Sequence, residues 1–174
     1  MAALLRVGPD ALLRVNDLVF PCRLGRSGRR ADKVEGDGAT PIGRFPLRTV
    51  FYRPDRGEAP AGGLPVRALD PSMGWCDDPA DPAYNQPVTL PYRASAETLW
   101  RDDDLYDIVV VLGHNDDPVV VGAGSAIFLH VAAADGRPTA GCVALAVADL
   151  RRVLALCDEN AEIEISAESK SRAI

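Results

Sequence analysis

Short apolar runs, many alternating with polar residues and separated by Gly, Pro and Asp clusters, recur along this chain and predict a sheet-rich fold. ALLRV (11–15), LVFPCRL (18–24), FPLRTVFYR (45–53), DIVVVLGH (107–114), AIFLHVA (126–132) and EIEI (162–165) carry the Val, Ile, Leu and Phe that suit a pleated surface. ALLRVNDLVF reads as a hairpin turning at Asn16-Asp17. DIVVVLGH is apolar on both faces, the pattern of a central strand covered twice. Helical spacing replaces alternation in two places. In ADLRRVLALCDEN, Leu150, Val153, Leu154 and Cys157 fall at i, i+3, i+4 and i+7 behind Asp149, which assigns Cys157 to a buried helix face as an inert thiol. SAETLWRDD predicts a second helix with Ser95 as its N-cap. Loops rich in Pro, Gly and Asp fill 25–44, 54–65 and 70–92, and loops of that length in a compact domain are usually functional or disordered. The pattern predicts a mostly-β fold with a few helices, one domain over 1–166 and a frayed tail over 167–174.

Composition narrows the classes. With 174 residues the chain can bury one sizeable core and not two. A net charge of −6 argues against nucleic acid and anionic membranes as partners. No run approaches the roughly 18 apolar residues of a membrane span. MAALLRVGPDALLRV starts apolar, yet Arg6 and Asp10 interrupt it and no cleavage site follows. Either the chain is cytoplasmic or an export signal has been removed. The four cysteines, Cys22, Cys76, Cys142 and Cys157, form no CxxC, which excludes a zinc ribbon. An even number permits two disulfides, although a chain this long does not need them.

The chemistry gathers in LHVAAADGRPTAGCVAL (129–145), where His130 stands twelve positions before Cys142 and Gly141 precedes the cysteine. An imidazole that accepts a thiol proton generates the nucleophile. If the segment ending at His130 pairs with CVALAV, the intervening loop brings the two side chains together. Gly141 lets a substrate carbonyl approach the backbone, and N–H groups in that turn can hold an oxyanion. The bland alternative stands beside this one: a Cys between Gly and Val is usually core, and a strand-end His is usually structural.

GSAIFLHVAAADGRPTAGCVAL (124–145) resembles the signature of the L,D-transpeptidase catalytic domain, a cysteine acyltransferase of bacterial peptidoglycan. That pattern is a strand-end His, a loop, then Ser/Thr-x-Gly-Cys and an apolar residue, met here by His130, Thr139, Ala140, Gly141, Cys142 and Val143. EGDGATPIGRF (35–45) resembles the family's upstream Asp-x-x-Thr-Pro-x-Gly segment, and the likeness spans approximately 20–160. The resemblance implies a β-sandwich-like catalytic domain, with Cys142 attacking an L-D amide of a stem peptide. His130 would act as base, steered by the Val131 carbonyl, with the amides of Ala140, Gly141 and Cys142 as oxyanion hole. It further implies no metal or organic cofactor, peptidoglycan stem peptides as partners, a carbapenem adduct on Cys142, and a periplasmic or wall-facing location. Better-known members carry His where this chain has Ala140, and Arg or Asn where it has Ala144, so the substrate is less defined than the thiol chemistry.

Thr139, Ala140, His114, Asn115, Tyr84, Asn85, Trp75 and Lys33 are the substrate-facing candidates. Against that reading, a strand-end His-Asn is commonly a turn, aromatics in a Pro-rich loop are commonly anchors, and the loop with Lys33, Glu35 and Asp37 is commonly solvated. The arginines of RLGRSGRRADK can meet a stem carboxylate or simply face water. Two expectations are geometric and electrostatic. Sγ of Cys142 should lie within about 4 Å of an imidazole nitrogen, and its pKa should sit well below the free value of about 8.5. Transfer forming three-to-three or one-to-three cross-links, hydrolysis as an L,D-carboxypeptidase or amidase, and non-catalytic wall binding all remain open, as does the oligomeric state.

Overall fold

The computed structural model describes residues 2–167, so the predicted frayed tail lies outside the described residues from 168 onward. The strands run β1 (Leu4–Val7), β2 (Leu12–Val15), β3 (Leu18–Pro21), β4 (Arg29–Arg30), β5 (Thr40–Pro41), β6 (Gly43–Tyr52) and β7 (Val66–Ala68). They continue as β8 (Met73–Cys76), β9 (Pro87–Thr89), β10 (Ala96–Thr98), β11 (Ile108–Leu112), β12 (Phe128–Val131) and β13 (Val143–Leu145), followed by helix α1 (Val147–Ala155) and β14 (Glu162–Ile165). Nine strands form one sheet in the order β13-β12-β11-β6-β14-β1-β2-β3, with β7 beside β6. Just past β3, Arg23 bridges Ala144 of β13 and Gly25 bridges Thr139, so the two ends of the sheet meet and it closes into a barrel-like wrap.

The strand β11 explains how the layers form. All five of its residues are buried, with antiparallel neighbours β6 and β12 on its two sides. Because side chains alternate along a strand, Ile108, Val110 and Leu112 enter the main core with Leu150, Val153 and Leu154 of α1. Val109 and Val111 point the other way, into a second cluster with Trp75, Leu99, Tyr106, Phe128 and Cys142. The small sheet β10-β8-β9 supplies Trp75 to this second layer. The predicted apolar run is therefore covered twice, and Cys142 lies in the thinner layer.

The hairpin forms as expected: Val15 pairs with Leu18, and Asn16 takes φ +51° in the two-residue turn. Cys157 falls just beyond the end of α1, yet it is buried and its Sγ donates to the Val153 carbonyl at 3.3 Å. All four cysteines are free. The second predicted helix is a correction. Ala96–Thr98 is a strand, antiparallel to β8, because nine residues with few apolar positions could not outweigh a sheet edge awaiting a partner. Strand alternation then points Glu97 away from Ala96 and Thr98. The supposed loop 70–92 contains β8 and β9, and β1 was hidden in the apolar N-terminal run.

Candidate active site

Parallel pairing of β12 with β13 matches Leu129 to Val143, His130 to Ala144 and Val131 to Leu145. Neighbours in register share a face. Leu129, Val131, Val143 and Leu145 thus enter the main core, while Phe128, His130, Cys142 and Ala144 look the opposite way. The loop between the strands is thereby closed, and both His130 and Cys142 line one cavity of about 400 Å³. Ala144, directly beside the imidazole, contributes only a methyl to that wall.

His130 is 5% exposed, and its Nδ1 lies 2.8 Å from the Val131 carbonyl. A carbonyl can only accept, so Nδ1 carries the proton and Nε2 keeps its lone pair. The ring packs edge-on against Tyr106 at 5.2 Å, and the Tyr106 hydroxyl donates to Glu97. Burial is the main force pushing the imidazole pKa down to about 4, opposed by the Val131 carbonyl and assisted by the Arg101 charge. Cys142 is 8% exposed; Sγ donates to the Ala126 carbonyl at 3.4 Å and accepts the Phe128 amide at 3.3 Å. Burial, with the Glu97 carboxylate behind it, pushes the thiol up to about 12 against the pull of the Phe128 amide and Lys33. The expectation of a resting thiolate is thus corrected. Desolvation outweighs the donors, and thiol and imidazole are both neutral at pH 7.

Between these two side chains the chain makes the Thr139–Cys142 turn. Thr139 Oγ1 accepts the Gly141 amide at 3.1 Å and donates to the Cys142 carbonyl at 2.7 Å. The Gly141 amide, expected in an oxyanion hole, is thus bonded to Thr139 in this structure. The amides of Ala140 and Cys142 have no such partner among the described residues. Gly141 holds φ +140°, and a Cβ there would stand 2.9 Å from the Ala39 carbonyl oxygen. Ala39 belongs to the 35–45 segment, whose Thr40 Oγ1 accepts the Gly25 amide at 2.8 Å. The two motif segments therefore pack on each other. We predict that Gly141→Ala costs about 1–3 kcal/mol through backbone strain. A denaturant midpoint equal to that of the wild type would refute this.

The cavity also carries charges of both signs. Arg26, Arg101 and Arg137 line it together with Glu35, Asp77 and Glu97, and Asp77 Oδ1 is buried with no hydrogen-bond partner. Of the substrate-facing candidates, Lys33, Thr139 and Ala140 line the cavity. Lys33 is not solvated: its ammonium is 2.5 Å from Asp37 Oδ1, with both side chains under 10% exposed. Against the upward push of burial, Lys33 and the amides of Val34 and Ala39 hold Asp37 at about 2. Glu35 is likewise engaged, accepting the hydroxyls of Tyr84 at 2.5 Å and Ser125 at 2.8 Å.

Trp75, Tyr84, Asn85, His114 and Asn115 do not line the cavity and instead form a scaffold behind it. Tyr84, 1% exposed, accepts the Gly124 amide at 3.0 Å while bonding Glu35. Asn115 ties the carbonyls of Val120 and Gly124 at 2.9 and 3.0 Å. His114 stands edge-on to Phe45 at 5.3 Å with its Nδ1 buried and unbonded, and burial, aided by the Lys33 charge, pushes it down to about 4. Their polar groups serve the protein because the loops fold inward on one another. Glu97 and Tyr106 were not singled out in the sequence; period-two alternation over 96–98 was the one signal available for Glu97.

A family model described as the L,D-transpeptidase catalytic domain (YkuD) matches residues 11–165. No curated protein matches the sequence. Among solved structures, the helical cell shape determining protein Pgp2 from Campylobacter jejuni is similar at 18% identity with a TM-score of 0.55, over 99% of this chain and 50% of that one. An L,D-transpeptidase from Mycobacterium smegmatis is 14% identical, with a TM-score of 0.44 over 95% of this chain and 59% of its own. The chain spans about half the length of these solved proteins.

Proposed function

This chain belongs to the L,D-transpeptidase catalytic-domain family, and from that premise we propose that it is a cysteine acyltransferase acting on peptidoglycan stem peptides through a thioester on Cys142. One observation carries the reading: His130 and Cys142 share a face of paired strands and open into one cavity, with the imidazole fixed by the Val131 carbonyl. The thiol proton passes to Nε2 of His130 as Sγ bonds to the carbonyl carbon of an L-D amide. The amides of Ala140 and Cys142 receive the oxyanion. When the tetrahedral adduct collapses, the C–N bond breaks and the leaving amine takes the proton from His130. A side-chain amine of a second stem then attacks the thioester, His130 accepts its proton, and Cys142 leaves as the thiol. Because thiol and imidazole are neutral at rest, proton transfer accompanies attack rather than preceding it.

The cavity's charges support such a substrate, since a stem peptide brings carboxylates toward Arg26 and an ammonium group toward the unpartnered Oδ1 of Asp77. This role would place the protein at the cell wall, in the remodelling that sets cell shape. No helix among the described residues is long and apolar enough to cross a membrane. Incubation with purified muropeptides followed by mass spectrometry tests the proposal. New dimers are expected. Shortened stems alone would make the protein a hydrolase on this scaffold, and unchanged muropeptides that are nonetheless retained would make it a wall-binding module.

A further inference from the structure

The Asn85 side chain bonds the backbone that holds the Cys142 thiol. Sγ has two partners, the Phe128 amide and the Ala126 carbonyl. Phe128 is fixed by the ladder of β12. Ala126 precedes that strand and sits at φ +52°, a left-handed conformation that a residue with a Cβ keeps only when its surroundings hold it there. What holds it is Asn85. The Ala126 amide donates to Asn85 Oδ1 at 3.1 Å, and the same oxygen accepts Trp75 Nε1 at 3.0 Å. Asn85 Nδ2 donates to the carbonyls of His114 at 3.1 Å and Asn115 at 2.7 Å. The oxygen faces two donors and the nitrogen two acceptors, so the amide has one orientation only. Asn85 is 5% exposed, which leaves water little chance to replace it.

We propose that Asn85 is a positioning residue for Cys142: it clamps Ala126 in the left-handed conformation, and the Ala126 carbonyl so aimed holds the thiol proton and fixes the direction of Sγ. The proposal rests on Cys142 as the nucleophile. At rest the S–H bond points to a carbonyl that can only accept, so the proton cannot leave by that route. Substrate arriving in the cavity turns the thiol from the carbonyl toward His130, and the proton then moves to Nε2. No other side chain serves as well at 85. A carboxylate would oppose the carbonyls of His114 and Asn115, and an apolar group would strand the donors of Ala126 and Trp75.

The test is iodoacetamide labelling of the native full chain between pH 6 and 10, with modification of Cys142 read by peptide mass spectrometry. Asn85→Ala removes the clamp, and in Asn85→Ala with Ala126→Gly the glycine also relieves the left-handed strain, so the fold survives while the unclamped carbonyl is freed. Both should label Cys142 about tenfold faster than wild type at pH 8, since a thiol that loses its acceptor gives up its proton about one pH unit sooner. Ala126→Gly alone keeps the Asn85 hydrogen bond and should keep the wild-type profile, as should Val153→Ala, a core truncation on α1. A folded double variant with an unchanged profile overturns the clamp, as does Val153→Ala shifting it equally. If the Asn85 variants shift labelling while no muropeptide ever acylates Cys142, the clamp stands and the acyltransferase reading fails.

Discussion

Replacing His130 by Gln is expected to slow acylation of Cys142, by a stem peptide or a carbapenem, about 10²- to 10⁴-fold, the span of a positioned general base. Gln is near enough in size to fill the site between β11 and β13 and can still donate to the Val131 carbonyl, but it offers no lone pair of comparable basicity. The melting temperature of the variant separates a lost base from a lost fold. Cys142→Ala should remove the covalent adduct altogether. Intact-protein mass spectrometry reads both. The other thiols give the comparison its force: Cys22 and Cys157 are buried in the main core, and burial pushes each up to about 12 as it does Cys142. Acidity therefore does not single out Cys142; its place in the cavity beside His130 does. An adduct that persists in Cys142→Ala would sink the assignment.

What the sequence disclosed, and what it withheld, follows from the range of the forces involved. DIVVVLGH announced β11 because a strand buried on both faces has no room for polar residues, and that is a local, periodic signal. The pairing of β12 with β13 could be suspected from the lengths of two apolar runs and the loop between them. SAETLWRDD misled because local spacing over one short stretch carries little free energy, and pairing with β8 decided its state. Trp75, Tyr84 and Asn85 looked like pocket walls because polar and aromatic residues in long loops usually face outward. Here the loops close on each other, and Asn85 spends all its hydrogen bonds indoors. Local sequence could not report that Ala126, an unremarkable residue between Ser125 and Ile127, takes a left-handed turn. Nor could it report the desolvation of Cys142, which depends on every layer packed above it.

That desolvation yields the second large effect, an inverted order of reactivity. With its thiol pushed up to about 12, first by burial and then by the Glu97 charge, native Cys142 is held as the neutral thiol at pH 7. An ordinary thiol of pKa about 8.5 is ~3% thiolate there. We predict that iodoacetamide labels native Cys142 roughly 10³-fold more slowly than it labels a small-molecule thiol at pH 7. The sign is fixed by the direction of the shift: a raised thiol pKa means that rate climbs with pH, about tenfold per unit, through the whole range in which the fold survives. His130, held near 4 chiefly by burial, stays neutral from pH 5 to 9 and adds no step near 6.5. The groups facing Sγ pull in opposite directions, Glu97 upward and the Phe128 amide with Lys33 downward. His130→Gln should therefore leave the slope of alkylation unchanged while crippling acylation, because the imidazole acts only when substrate turns the thiol toward it. A native labelling curve that levels off below pH 8.5, and loses that plateau in His130→Gln, would mean that a thiolate and an imidazolium already coexist at rest.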